Sequence, residues 1–173
     1  MKRTATPPNS ERGFSLIVSL ILLVVITLVA LAGMRSVAME SRMSASSYDR
    51  SLAFQSAETG VREAEAMAAA ASAAAFPAVG CAAGYCAERA AAATARWADG
   101  AFPSWQDATS AVSDNAITPN LIVERNGEGE NWVGCGQEIP RQPNCRTPRF
   151  RVTGRSTADG RATVILQSDV ATQ

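Results

Sequence analysis

Hydrophobic and polar positions divide the chain into three stretches with different periods. From Phe14 to Met34 it reads FSLIVSLILLVVITLVALAGM, 21 residues without a charge. As a helix this run is about 32 Å long, roughly the thickness of a bilayer's hydrocarbon core. Ser15, Ser19 and Thr27 interrupt it, but their hydroxyls can return to carbonyls of the preceding turn. A helix apolar on every face needs either lipid or a surrounding protein, and the rest of the chain is short of large apolar residues. The run therefore reads as a transmembrane helix over 14–34.

The second stretch, RSVAMESRMSASSYDRSLAFQSAETGVREAEAMAAAASAAA, holds no Pro between Pro8 and Pro77 and predicts that the helix continues over 35–75. Small residues at Ala53, Ala57, Gly60, Ala64, Ala68 and Ala71 recur every three or four positions and make one helical stripe. Asp49, Arg50, Arg62, Glu63 and Glu65 mostly keep off it. The stripe is suited to close approach of another element, and the C-terminal part of the same chain is the expected partner. Phe76-Pro77 and Gly80 end the helix.

The third stretch, 76–173, reads as a small head. Residues 86–98, CAERAAAATARWA, predict a short helix closed by Asp99-Gly100. Trp105, Trp132 and Leu121-Ile122-Val123 are the expected core, Asn126–Gly129 a loop, and 139–148, with three prolines, irregular. Arg149–Gly154 alternates polar and apolar residues, Arg161–Gln167 is rich in β-formers, and Ser156–Gly160 reads as the turn of a hairpin. Phe150 and Val152 then face the helix, while Arg149, Arg151 and Arg155 form a solvated strand face. A helix stripe against an antiparallel sheet is α+β architecture.

Composition sharpens this division. Of 29 Val, Ile and Leu, 13 lie in 14–34, and 33 residues of the chain are Ala, so the head has a thin core for its length. Net charge is zero, which argues against nucleic acid as a partner. The chain contains no His, so mechanisms that need a near-neutral imidazole or a His metal ligand are excluded. Lys2, Arg3 and Arg12 against Glu11 make the leader basic, which predicts a cytoplasmic N-terminus and an exported head. The run is longer than the apolar region of a cleaved signal peptide, so retention is expected.

An exported head favours disulfides over zinc for Cys81, Cys86, Cys135 and Cys145. Three pairings are possible. Cys81–Cys86 and Cys135–Cys145 are preferred because each closes a loop containing Gly or Pro. No catalytic, cofactor-binding or metal-binding residue is expected. Glu58, Glu63 and Glu65 have no arguable acid–base partner and read as a solvated face.

The segment Arg12-Gly13-Phe14-Ser15-Leu16-Ile17 resembles a type IV prepilin cleavage site. Met34-Arg35-Ser36, Leu52-Ala53-Phe54-Gln55-Ser56-Ala57-Glu58 and Arg62-Glu63-Ala64-Glu65 resemble the PilX-type minor pilins. The resemblance is dense over about residues 10–66. It implies a pilin-like fold, a 1–13 leader removed by prepilin peptidase between Gly13 and Phe14, and N-methylation of Phe14. Val18 stands at the fifth position after the cut, where most pilins carry Glu. This departure disfavours a major structural subunit and favours a priming position at or near the filament tip. The resemblance further implies partnership with other minor pilins, the major pilin and a tip-associated adhesin, residence in the inner membrane and then the pilus, and a contribution to twitching motility and adhesion. A pseudopilin of a type II secretion system shares leader, span and head. A periplasmic binding domain on a signal anchor is the more distant alternative.

Overall fold

The computed structural model describes residues 14–110 and 117–172. Helix α1 runs Phe14–Ala70. It is followed by β1 (Cys81–Ala82), β2 (Tyr85–Cys86), β3 (Gln106–Asp107), β4 (Asn120–Glu130), β5 (Arg146–Ser156) and β6 (Val164–Ala171). By contact density the chain forms two compact units, Met1–Ala45 and Ser46–Gln173.

In the first unit every described residue of α1 is exposed, including Leu16, Ile17, Leu20, Leu23 and Leu28. By length and composition this helix is apolar enough to cross a membrane. Its polar interruptions are satisfied internally: the Ser19 hydroxyl donates to Leu16 O at 2.9 Å and the Thr27 hydroxyl to Val24 O at 2.8 Å.

In the second unit the strands form one sheet in the order β1-β2-β4-β5-β6, with β3 also paired to β4. β4, β5 and β6 are antiparallel neighbours, while β2 joins β4 in parallel through Tyr85 opposite Val123. The sheet is thus mixed. Alternation along β4 and β5 turns Leu121, Val123, Phe150 and Val152 toward the helix, where they pack with Ala64, Ala68, Phe76 and Ala108. The small-residue stripe is the buried face of α1: Ala53, Ala57, Gly60, Ala64 and Ala68 are all buried, with Leu52 and Ser56 beside them.

Several elements depart from the sequence reading. The helix ends at Ala70 rather than 75, and a single 3₁₀ turn occupies Ala73–Ala75. Leaving the helix early lets Phe76 turn into the core, where its ring lies 5.1 Å from those of both Tyr85 and Phe150. That aromatic burial outweighs the helix propensity of an Ala run. No helix forms over 86–98. Cys86 is committed to β2, Ala87 N–H donates to Gly80 O at 2.9 Å, and one 3₁₀ turn at Arg96–Ala98 is all that follows. An Ala-rich segment without an apolar face is too short to hold a helix alone.

Asn126–Gly129 is not a loop. β4 continues through it with a bulge between Arg125 and Glu128, and Gly127 takes the positive φ of 72° there. Pro148, expected in irregular chain, lies inside β5, opposite Glu128 and just before the β6 pairing begins at Arg149, where β5 has a neighbour on one side. Of the expected core, Leu121, Ile122 and Val123 are fully buried and are joined by Val152, whereas Trp132 is exposed and Trp105 half-buried.

Candidate functional site

Two features carry the chain's physical character: the bare apolar helix and the seam that joins its continuation to the sheet. The seam is built on absent side chains. A Cβ on Gly154 of β5 would lie 2.5 Å from Ala57 O and 2.7 Å from Val61 N. A Cβ on Gly60 would meet Pro119 Cβ at 3.2 Å and Gly154 Cα at 3.6 Å. Backbone therefore meets backbone where Ala57–Val61 crosses β5, and the two glycines leave the space that makes this possible.

Polar anchors surround the seam. Asp49 accepts from Arg161 Nε at 2.7 Å and from Ala162 N–H at 2.6 Å, tying the β5–β6 turn to the helix. The Ala162 amide first, and then the Arg161 guanidinium, hold the Asp49 carboxyl below its ordinary pKa. Glu63 accepts from Thr109 N–H at 2.8 Å, from the Thr109 hydroxyl at 2.9 Å and from Ser110 N–H at 3.2 Å. Burial works against its ionisation, but these hydrogen bonds together outweigh burial and leave its pKa lowered. Glu63 is thus a loop clamp and not part of a solvated face. Glu58 does stay at the surface, paired with Arg62 one turn on.

The sheet face opposite the helix is partly covered, and its arginines are paired rather than free. Glu124 is buried and ion-paired with Arg96, whose Nη2 also donates to Ala87 O at 3.1 Å. Arg155 stacks its guanidinium 4.0 Å from the centre of the Trp105 ring, and burial lowers its pKa. Arg151 pairs with Asp169 at 3.1 Å, and Arg149 donates to Glu130 O at 2.7 Å. Each arginine read as facing water has a partner on a neighbouring element. Lateral register supplies these partners, and register is what a single strand's sequence does not contain.

The cysteines form Cys81–Cys86, which closes the β1–β2 hairpin, and Cys135–Cys145, which closes the segment between β4 and β5. Phe14 is the first described residue and Val18 is exposed on the bare helix. Gly13 and the rest of the leader lie outside the described residues. Among the described residues no cluster of His, Cys, Asp or Glu has the geometry of a metal site.

Residues 12–62 match the PilX N-terminal family. Over that stretch the chain is similar to the PilX-type minor pilins, and the match supports a PilX-type pilin. The match begins just before Phe14, runs the length of the bare helix and ends within the seam, two residues past Gly60. No curated protein and no solved structure matches the chain. Beyond residue 62 the reading rests on the geometry above: a long apolar helix, a mixed sheet packed on its continuation, and two disulfides. This is a pilin-like α+β fold, and the family match and the long apolar helix fit a membrane-anchored pilus component.

Proposed function

We propose that this minor pilin primes assembly of the type IV pilus from the inner membrane and stays at or near the filament tip. The observation that carries the reading is the PilX N-terminal match, with Val18 where most pilins have Glu. A carboxylate at that depth is costly in lipid and is retained where a neighbouring subunit's amine pairs with it. A subunit with nothing ahead of it needs no such group. Prepilin peptidase hydrolyses the Gly13–Phe14 peptide, releasing residues 1–13, and the new amino group of Phe14 is methylated. The helix over 14–34 rests in the bilayer with the head on the periplasmic side. It then exchanges lipid contact for contact with neighbouring pilin helices, a near-isoenergetic exchange whose direction packing and the assembly motor decide. Other minor pilins, the major pilin and a tip-associated adhesin are the partners, and twitching motility and adhesion are the processes served. The role is structural, without catalysis.

Intact mass of the membrane-extracted protein, from cells with and without prepilin peptidase, tests the first step. Loss of residues 1–13 with gain of one methyl group, in the peptidase-bearing strain alone, is expected. A retained leader in both strains overturns the pilin processing. A clean deletion is expected to leave few surface pili. Normal piliation with a defect in protein secretion would move the chain to a type II secretion pseudopilin.

A further inference from the structure

The Cys135–Cys145 loop shapes a cleft that the filament role leaves unused. Between this loop and the end of β6 lies a cavity of about 470 Å³, lined by Asn131, Trp132, Asn144, Arg149, Ala171 and Thr172. That volume lies within the range of small-molecule sites.

Its walls are fixed from behind. Asn131 Nδ2 donates to Asn144 O at 2.6 Å, and Asn131 Oδ1 accepts from the Thr147 hydroxyl at 2.8 Å and from Arg149 Nη2 at 3.1 Å. Asn131 N–H donates to Cys145 O at 2.9 Å, beside the disulfide. A Cβ on Gly129 would sit 2.5 Å from Arg149 Nε, so bare backbone is what lets this side chain lie across β4. Trp132 Nε1 donates to Glu138 Oε1 at 2.8 Å, while the ring remains 37% exposed. An ordered wall binds without the entropy cost of ordering it.

Three groups remain for a ligand. The indole has its N–H satisfied and its ring surface partly open. The Asn144 side-chain amide and Arg149 Nη1 have no partner among the described residues. A flat aromatic surface beside planar amide and guanidinium groups matches a sugar ring, which offers an apolar C–H face to the aromatic and pairs of hydroxyls to the planar groups. The polar lining disfavours an apolar ligand. We propose that this cleft binds a saccharide of one or two rings. The proposal is independent of filament position, so failure of leader cleavage leaves it standing and its own failure leaves the pilin reading intact.

The test uses the full chain, disulfides intact, in a detergent without a sugar headgroup. The probe is an array of neutral, N-acetylated and carboxylate-bearing mono- to trisaccharides, followed by titration with the retained sugar. Binding of at least one class is expected. Trp132→Ala and Asn144→Ala should each weaken it about tenfold, while Trp97→Ala, which removes an exposed indole elsewhere, leaves it unchanged. Asn144→Ala deletes no hydrogen bond among the described residues, so it reports binding where Trp132→Ala disturbs the loop. Failure to retain any saccharide above background overturns the proposal, as does binding that both variants leave unchanged.

Discussion

Replacing Gly154 by alanine places one methyl group into the seam between helix and sheet. The new carbon would lie 2.5 Å from Ala57 O, 2.7 Å from Val61 N and 2.9 Å from Val61 Cγ2. The first two are backbone atoms, and both distances are roughly an ångström inside ordinary contact. Neither side yields easily. β5 is held between β4 and β6, and the helix is seated on the sheet from Ala53 to Ala68 by Ala53, Gly60, Ala64 and Ala68. Overpacking of this kind costs about 1–3 kcal/mol, and two backbone clashes put Gly154→Ala at the upper end. Lower entropy of the unfolded chain returns about 0.4–1 kcal/mol. The net loss is about 2 kcal/mol, or about 6–10 °C in the unfolding midpoint for a unit of this size. Gly60→Ala is the control. Its Cβ meets a side-chain carbon at 3.2 Å, and helix propensity offsets that mild crowding, so its midpoint should move by no more than about 3 °C. Thermal unfolding of the full chain in detergent, followed by circular dichroism with disulfides intact, reads both. A Gly154→Ala midpoint equal to wild type, or a larger loss in Gly60→Ala, would refute the seam as described.

Arg96→Ala strands the buried Glu124 carboxylate and should cost about 3–5 kcal/mol in chemical denaturation, most of it recovered when Glu124→Met is added. Thr153→Val removes a fully buried hydroxyl that has no hydrogen-bond partner among the described residues, and should raise the unfolding midpoint by the equivalent of about 1 kcal/mol. Asp49 and Glu63 both have lowered folded pKa values, so their contribution is complete above the ordinary values of 3.8 and 4.5. It is lost as pH falls below those values through the lowered folded ones. Denaturation midpoints in urea measured between about pH 7 and about pH 3 should fall on the acid side, and Asp49→Asn with Glu63→Gln should flatten that fall.

Local pattern made much of this molecule legible. Twenty-one uncharged residues make a helix long and apolar enough to cross a membrane, a property of the run itself. The Ala/Gly spacing identified the buried stripe because a helix face is a local property. The β5–β6 hairpin showed itself through alternation and a turn ending in Gly160, which takes a φ of 73°. What escaped depends on lateral neighbours. β4 was half hidden because Asn126-Gly127-Glu128-Gly129 has loop composition, and only the facing β5 keeps it extended through a bulge. The segment 86–98 has helical composition, but β4 captures Cys86 and Glu124 captures Arg96. The clamp from Glu63 to Thr109 spans 46 positions, and the one from Asp49 to Arg161 spans 112, distances over which sequence spacing carries no geometric signal.

A thin core explains why so much of the second unit's order comes from its edges. The core cluster on the helix side includes three alanines among eight residues, so each buried methyl brings little area. Specific devices hold what the core does not reach. One disulfide closes the β1–β2 hairpin and another the long β4–β5 connection, while carboxylates from the helix clamp the β3–β4 and β5–β6 connections. Small residues are also what allow α1 to lie directly on the sheet, since larger ones would lift it away at Gly154. Close backbone approach and a generous core are alternatives at this seam. The chain has taken the first, and its crosslinks and clamps supply the stability that the second would have given.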